Sequence, residues 1–480
     1  MRNREVVFVL VLAAMSASFS ASALGQSSPH RAVVDGITGD GIGRHIGVLA
    51  HDSLRGRPTP SRELDLAAAY VAAELTRAGV RPLAGTDLVT RWPLVDTRPK
   101  VEVIGLEVSS AGRTLRFRYG TEFAVMPGGH TPVTGTLVEL PDLADTAAVR
   151  GRIPVIRLAP GPWSGPAHTA MAAARQAHAR ALVLVLDPSQ TVGSVAAAGS
   201  KMNHASTGVP TMLVTPTAAR RIRGAAGGAT GDLTLTIPES TDTAYAPYVM
   251  GVIPGADPRL RHEYVALSAH LDHLGVGAPD ERGDSIYNGA DDNASGVAAV
   301  LEIARALAAL RPALRRSVLF LILTGEEVGI RGSEWFTAHS PVPMKDVVAD
   351  INLDGIGRSW QADTVSAEGS GFSTLGRTAR EANGEHPDLG LTVVDDQWPD
   401  RTYFLTSDQI WFARRGVPSL FFSSSGPDTH YHRPSDEAST IETAFTARIA
   451  RLAAYTALRV ADAAERPRWD EAAQRKLRIE

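Results

Sequence analysis

The sequence predicts an α/β protein: a mostly parallel, mixed sheet sandwiched by helices, with a smaller domain inserted into the chain. Three observations predict it. From Val249 onward, short runs of almost wholly apolar residues alternate with segments of helical period, as expected of strands buried on both faces and joined by crossover helices. Between about residues 128 and 240 the texture changes to short apolar runs separated by Gly- and Pro-rich turns, with a strand-helix-strand unit of its own. Ahead of that insertion lies an amphipathic segment that needs a core to rest on. With 480 residues, 44% of them hydrophobic, the chain is long enough for two or three domains.

The elements follow in order. Residues 1–25 read as an export signal: Arg2 and Arg4 precede the apolar run from Val6 to Ala14, and Ala21-Ser22-Ala23 supplies small residues for cleavage. That run is too short for a permanent membrane span, so the mature product is expected to be periplasmic or secreted. Residues 37–54 form a predicted helix that ends at "LRGRPTPS", where Gly56, Pro58 and Pro60 interrupt it. In "ELDLAAAYVAAELTRAGV", Leu66, Tyr70, Val71 and Leu75 recur at helical spacing and the run stops at Gly79. Residues 101–125 alternate as strands do, and residues 30–127 are assigned to the main domain.

Within residues 128–240, "IPVIRL", "LVLVLD" and "VPTMLV" are predicted strands, with an alanine-rich helix over 169–181. The main domain resumes over 245–465: strand 264–268, helix 295–310, strand 317–323, a helix near 333–338, and strands 349–353 and 419–422. Residues 466–480 are left as a tail.

Composition narrows the function. The chain carries 48 basic and 52 acidic residues and no long run of Lys or Arg, so nucleic acid and anionic membrane surfaces are not expected partners. With no cysteine, disulfides, thiolate nucleophiles and cysteine metal sites are excluded.

The chemistry collects at strand ends, where open α/β sheets bind their ligands. His270 and Asp272 ("SAHLDHLG") follow the first strand, and "NGADDNASG" precedes the first helix. Glu326-Glu327 follow "SVLFLIL", Asp354 follows another strand, and "THYHRPSD" brings His430, His432 and Asp436. Carboxylates gathered without a cation repel one another, so the cluster calls for positive charge at its centre. Imidazoles with carboxylates and no thiolate suit zinc or a similar divalent ion. On this reading His270 is a metal ligand and Asp272 takes its other ring N–H. Of the pair Glu326-Glu327, one carboxylate would bind metal while the other moves the proton of an attacking water, which implies metal-assisted hydrolysis.

In order and spacing, "SAHLDHLG", "YNGADDNASGVAAVLEIARAL", "LTGEEVGIRGSEWF", "NLDGIG" and "YHRPSD" resemble the co-catalytic dizinc peptidases that include bacterial leucyl aminopeptidases and glutamate carboxypeptidase relatives. The resemblance covers roughly residues 249–454. The insertion resembles the protease-associated domain of that family. The resemblance implies the phosphorylase/hydrolase-like fold and two zinc ions, held by His270, Asp292 as the bridge, Glu327, Asp354 and His432. It implies Glu326 as general acid/base and a peptide substrate. Asp291 and His430 are the alternatives to Asp292 and His432, and His273 is read as a hydrogen-bonded loop residue. The chain departs from the family at Ser407-Asp408-Gln409, where many relatives have Ser-Asp-His. An aminopeptidase is the leading expectation, beside a carboxypeptidase or dipeptidase on the same scaffold and a receptor-like binding module without catalysis.

Overall fold

A computed structural model describes residues 29–83, 85, 87–99, 104–110, 112–126, 132–158, 164–188, 191–192, 209–225, 231–236, 239–310, 314–395, 403–424 and 429–477. The expected export signal lies outside these residues. The chain divides into two compact units, one made of Met1–Leu94 with Tyr245–Glu480 and the other of Val95–Ala244.

The first unit is built on a mixed sheet whose four central strands are parallel. Ser317–Leu323, Tyr264–His270, Val347–Leu353 and Ser419–Ser423 pair side by side in that order. Glu239–Ile253 runs antiparallel to Ser317–Leu323, and Thr364–Glu368 runs antiparallel to Ser419–Ser423. Parallel strands need both faces covered, which is why these segments are continuously apolar rather than alternating. In Ser317–Leu323 the side chains of Val318, Phe320 and Ile322 enter one core, while Leu319, Leu321 and Leu323 enter another. The first core is filled by helices Gly39–Leu49, Arg62–Ala78, Gly296–Ala308 and Thr443–Asp462. The second receives Phe336 and Phe412 from the shorter helices Arg331–His339 and Gln409–Arg414.

Arg62–Ala78 shows how the sequence sets one such helix. Ser61 accepts a hydrogen bond from the Leu64 N–H, and Gly79, at φ 88°, closes the other end. Leu64, Ala67, Ala68, Val71 and Leu75 form the buried stripe. Leu66, expected on that stripe, is 50% exposed, because it sits two positions off the i, i+3, i+4, i+7 series that begins at Leu64.

The second unit has its own eight-stranded sheet, with cores on both faces. It begins at Val95 rather than near residue 128, and this corrects the expected boundary. The cause is long-range pairing: Gly105–Ser110 lies antiparallel to Asp232–Thr236, and Phe123–Val125 lies antiparallel to Thr211–Val214. The expected C-terminal tail is also partly ordered. Glu471–Leu477 is helical, Arg466 donates to the buried Glu263, and the Trp469 indole N–H donates to the Gly416 carbonyl.

Candidate metal centre

Three parallel strands and the turns beyond them deliver the chemistry. Tyr264–His270 ends on His270 itself, Ser317–Leu323 is followed by Glu326 and Glu327, and Val347–Leu353 by Asp354. Asp292 comes from the irregular turn Ala290–Ser295, just before helix Gly296–Ala308. Gly296 is required there, since a Cβ would lie 2.1 Å from the Leu353 carbonyl oxygen.

Asp292 stands at the centre. Its Oδ1 lies 3.1 Å from His270 Nε2, and the same nitrogen lies 3.3 Å from Asp354 Oδ1. Its Oδ2 lies 3.1 Å from His432 Nε2, which is 3.3 Å from Glu327 Oε2. One carboxylate therefore faces two imidazole-carboxylate sets, one through each oxygen. Ligands held tetrahedrally at about 2.0–2.1 Å from one zinc ion lie roughly 3.3–3.4 Å apart. The donor separations around Asp292 match that spacing closely, so the residues fit a pair of divalent ions.

Electrostatics point the same way. Burial by itself would raise Asp292, but its bonds to His270 and His432 hold it well below the usual carboxylate range. Burial lowers His432, yet Asp292 and Glu327 push it up to about 10. The cluster thus demands positive charge, and protons on imidazole meet that demand where a dication would otherwise serve. Glu326 behaves differently: burial drives its carboxyl well above the ordinary range against the pull of His270, and Glu327, Asp354 and Asp408 add to the rise. A carboxyl in such a setting holds a proton more readily than an ordinary one.

His273, read from the sequence as a hydrogen-bonded loop residue, is one, and its partner is Glu327. It is fully buried, and its Nδ1 lies 2.6 Å from Glu327 Oε1 and 3.8 Å from Asp292 Oδ2, so its donor atoms cluster with theirs. The 2.6 Å separation is too short for two ligands of one ion and suits a hydrogen bond that orients Glu327.

Asp272 differs from expectation. The His270 Nδ1–H points at the backbone carbonyl of Asp272, 3.1 Å away, while the Asp272 carboxylate lies 3.8 Å from that nitrogen. The carboxylate instead accepts from Thr59 Oγ1 at 2.9 Å and from the Glu326 N–H at 3.4 Å. It sits against Glu326 as much as behind His270.

The alternatives sit elsewhere. The Asp291 carboxylate faces Arg358 at 3.4 Å and accepts from the Gly357 N–H. His430 Nδ1 lies 3.0 Å from Ser435 Oγ. Asp436 accepts from the N–H groups of Asp291 and Asp292 and from Arg358, and so ties the His432 segment to the Asp292 turn. Gln409, at the departure from the family pattern, is buried, accepts from Asn352 and donates to the Phe404 carbonyl. Asn352 also donates to Ser407, whose hydroxyl donates to Asp354 Oδ2 at 2.7 Å.

Residues 248–457 match the model of Peptidase family M28. The chain is 29% identical over 160 residues to Aminopeptidase YwaD of Bacillus subtilis, a stretch covering 31% of this chain and 32% of the relative. It is 28% identical over 211 residues to the probable leucine aminopeptidase 2 of Aspergillus oryzae, covering 42% of this chain and 38% of the relative. The aligned stretches thus span about a third of the length of these curated relatives. Among solved structures, the aminopeptidase of Aneurinibacillus sp. strain AM-1 superposes with a TM-score of 0.53 at 20% identity, covering 94% of this chain and 98% of that one, which establishes a shared fold.

Proposed function

We propose that the chain is an exported dizinc aminopeptidase that hydrolyses the N-terminal peptide bond of peptides. The observation that carries this reading is the placement of Asp292, whose two oxygens each lie 3.1 Å from a different imidazole. His270, Asp292 and Asp354 would hold one ion, and His432, Asp292 and Glu327 the other. When bound, such ions supply Lewis acidity toward water and the scissile carbonyl. Glu326 takes the proton of the attacking water and gives it to the leaving amine, the step for which its raised pKa suits it. His273 fixes the orientation of Glu327, and Asp272 holds Glu326 through its backbone N–H.

Recognition of a free amine is supported by the aminopeptidases to which the chain is similar, since two divalent ions would balance the charge of Glu326, Glu327, Asp292 and Asp354. Arg358, a candidate to bind a substrate carboxylate, is instead engaged by Asp291 and Asp436. Among the described residues no helix is long and apolar enough to cross a membrane, and the order of charge, apolar run and small residues over 1–25 supports export. N-terminal sequencing of the protein recovered outside the cytoplasm tests that part.

Zinc titration tests the centre. Two ions should bind per chain, and Asp292→Ala should weaken both, since a bridge serves both. Binding of one ion, or loss of only one in Asp292→Ala, would reject the dizinc assignment.

A further inference from the structure

The segment "LRGRPTPS" carries a fully buried cation beside the site. Arg57 is 0% exposed. Its Nε donates to the Leu271 carbonyl at 2.7 Å, Nη1 to the Asn288 carbonyl at 2.7 Å and to the Leu49 carbonyl, and Nη2 to the Gly289 carbonyl at 3.0 Å. Leu271 follows His270, and Gly289 lies three residues before Asp292. The guanidinium therefore spans the two backbone arms that carry these residues.

The segment is built to put it there. Arg55, Gly56 and Arg57 have φ of 44°, 70° and 46°, three consecutive residues in the left-handed region. Gly56 admits no side chain, since a Cβ would meet the Tyr287 carbonyl oxygen at 2.3 Å. The Arg57 carbonyl accepts the His273 N–H at 3.3 Å, and two residues on Thr59 holds the Asp272 carboxylate. A strained backbone that ends in a fully enclosed charge costs stability and persists where the surroundings over-determine it, which is common at functional sites.

Burying a charge without a formal ion-pair partner is costly, and among the described residues only backbone carbonyls bond to it. Burial lowers Arg57 to about 10, while the field of Asp436, Asp272, Asp292 and Glu327 opposes that fall. The same attraction offsets part of the repulsion among those carboxylates. Arg57 thus acts on the centre through both geometry and charge.

We propose that Arg57 is a positioning residue for the metal centre: its guanidinium locks the His270–Asp272 arm to the Asn288–Asp292 arm and so sets the spacing of His270 and the bridging Asp292. This inference rests on the reading that those two residues hold metal. Lysine retains charge but lacks the planar fork that reaches carbonyls in several directions at once. The test compares Arg57→Lys and Arg57→Met with a control, Arg316→Lys. Arg316 is an equally buried arginine, 1% exposed, that binds Glu263 and the Val460 and Ala463 carbonyls away from the proposed ligands.

Each metal-free protein is titrated with zinc against a chelating indicator, and the cobalt(II)-loaded form is read by its visible absorption. Arg57→Lys should fold by circular dichroism, bind zinc at least ~10-fold more weakly and alter the cobalt spectrum, with kcat reduced at saturating zinc and KM within about twofold. Arg57→Met should weaken zinc further, and Arg316→Lys should lower the melting temperature without changing zinc affinity. Wild-type zinc affinity and an unchanged cobalt spectrum in folded Arg57→Lys would overturn the proposal. So would equal weakening by Arg316→Lys, or failure of both Arg57 variants to fold with zinc present, which would mark Arg57 as a folding residue alone. If the unaltered protein binds no zinc, it is the dizinc reading that fails.

Discussion

Two imidazoles reach the same pair of carboxylates, and replacing each in turn separates their roles. His432 Nε2 stands 3.1 and 3.3 Å from oxygens of Asp292 and Glu327, the spacing of co-ligands, while His273 Nδ1 stands 2.6 Å from Glu327, the spacing of a hydrogen bond. Structural zinc bound at about 10–16 kcal/mol by four ligands draws roughly 2.5–4 kcal/mol from each, and three residues are assigned to each ion here. His432→Ala should therefore weaken one zinc ion by about 10²–10³-fold and leave the His270 side closer to its original affinity. His273→Ala removes an orienting partner, worth about 10–100-fold. Competition titration with a zinc indicator, resolving two dissociation constants per variant, measures both effects on proteins shown to be folded. The reasoning is refuted if His273→Ala loses the second ion while His432→Ala keeps it, for His273 would then be the ligand.

Other consequences can be measured independently. Glu326→Gln should lower kcat by about 10²–10⁴-fold while retaining two zinc ions, because it removes the proton carrier and no proposed ligand. Full turnover by that variant would reject the role. Replacing Val95–Ala244 by a short linker should leave a folded, zinc-binding protein, since every proposed ligand lies in the other unit; loss of zinc binding would make the insertion part of that core. Glu302, held at about 2 by His45 and Arg305 against the effect of burial, should contribute about 1–2 kcal/mol after screening. Its folded pKa lies below the ordinary 4.5, so that contribution is complete above pH 4.5 and fades as pH falls toward 2. Glu302→Gln should flatten the acid limb of a denaturation series over that window, and an unchanged limb would refute the linkage.

What the sequence disclosed depended on whether the signal was local. Ser317–Leu323 was legible to the residue because a seven-residue apolar run has one reading between its turns. The same holds for the carboxylates and imidazoles just beyond such runs, which the fold brings together as expected. The start of the second unit was not legible, since residues 105–125 join it only through partners about 90–130 positions away. Helix Thr443–Asp462 escaped because its alanines and threonines blur the apolar stripe, although most of its length is buried. Arg57 was hidden for a related reason. An arginine beside glycine and prolines reads as a turn until the backbone returns it to the interior.

The central claim is that the metal-lined site reads a free α-amine and cleaves the bond next to it. The direct measurement is kcat/KM on one peptide in three forms: unmodified, acetylated at its N-terminus, and amidated at its C-terminus. Acetylation removes the free ammonium that an aminopeptidase site reads, so cleavage should be abolished. Amidation leaves that end untouched and should change kcat/KM less than about threefold. Cleavage of the acetylated peptide together with loss of activity on the amidated one would contradict the account and assign the site to the other end of the substrate.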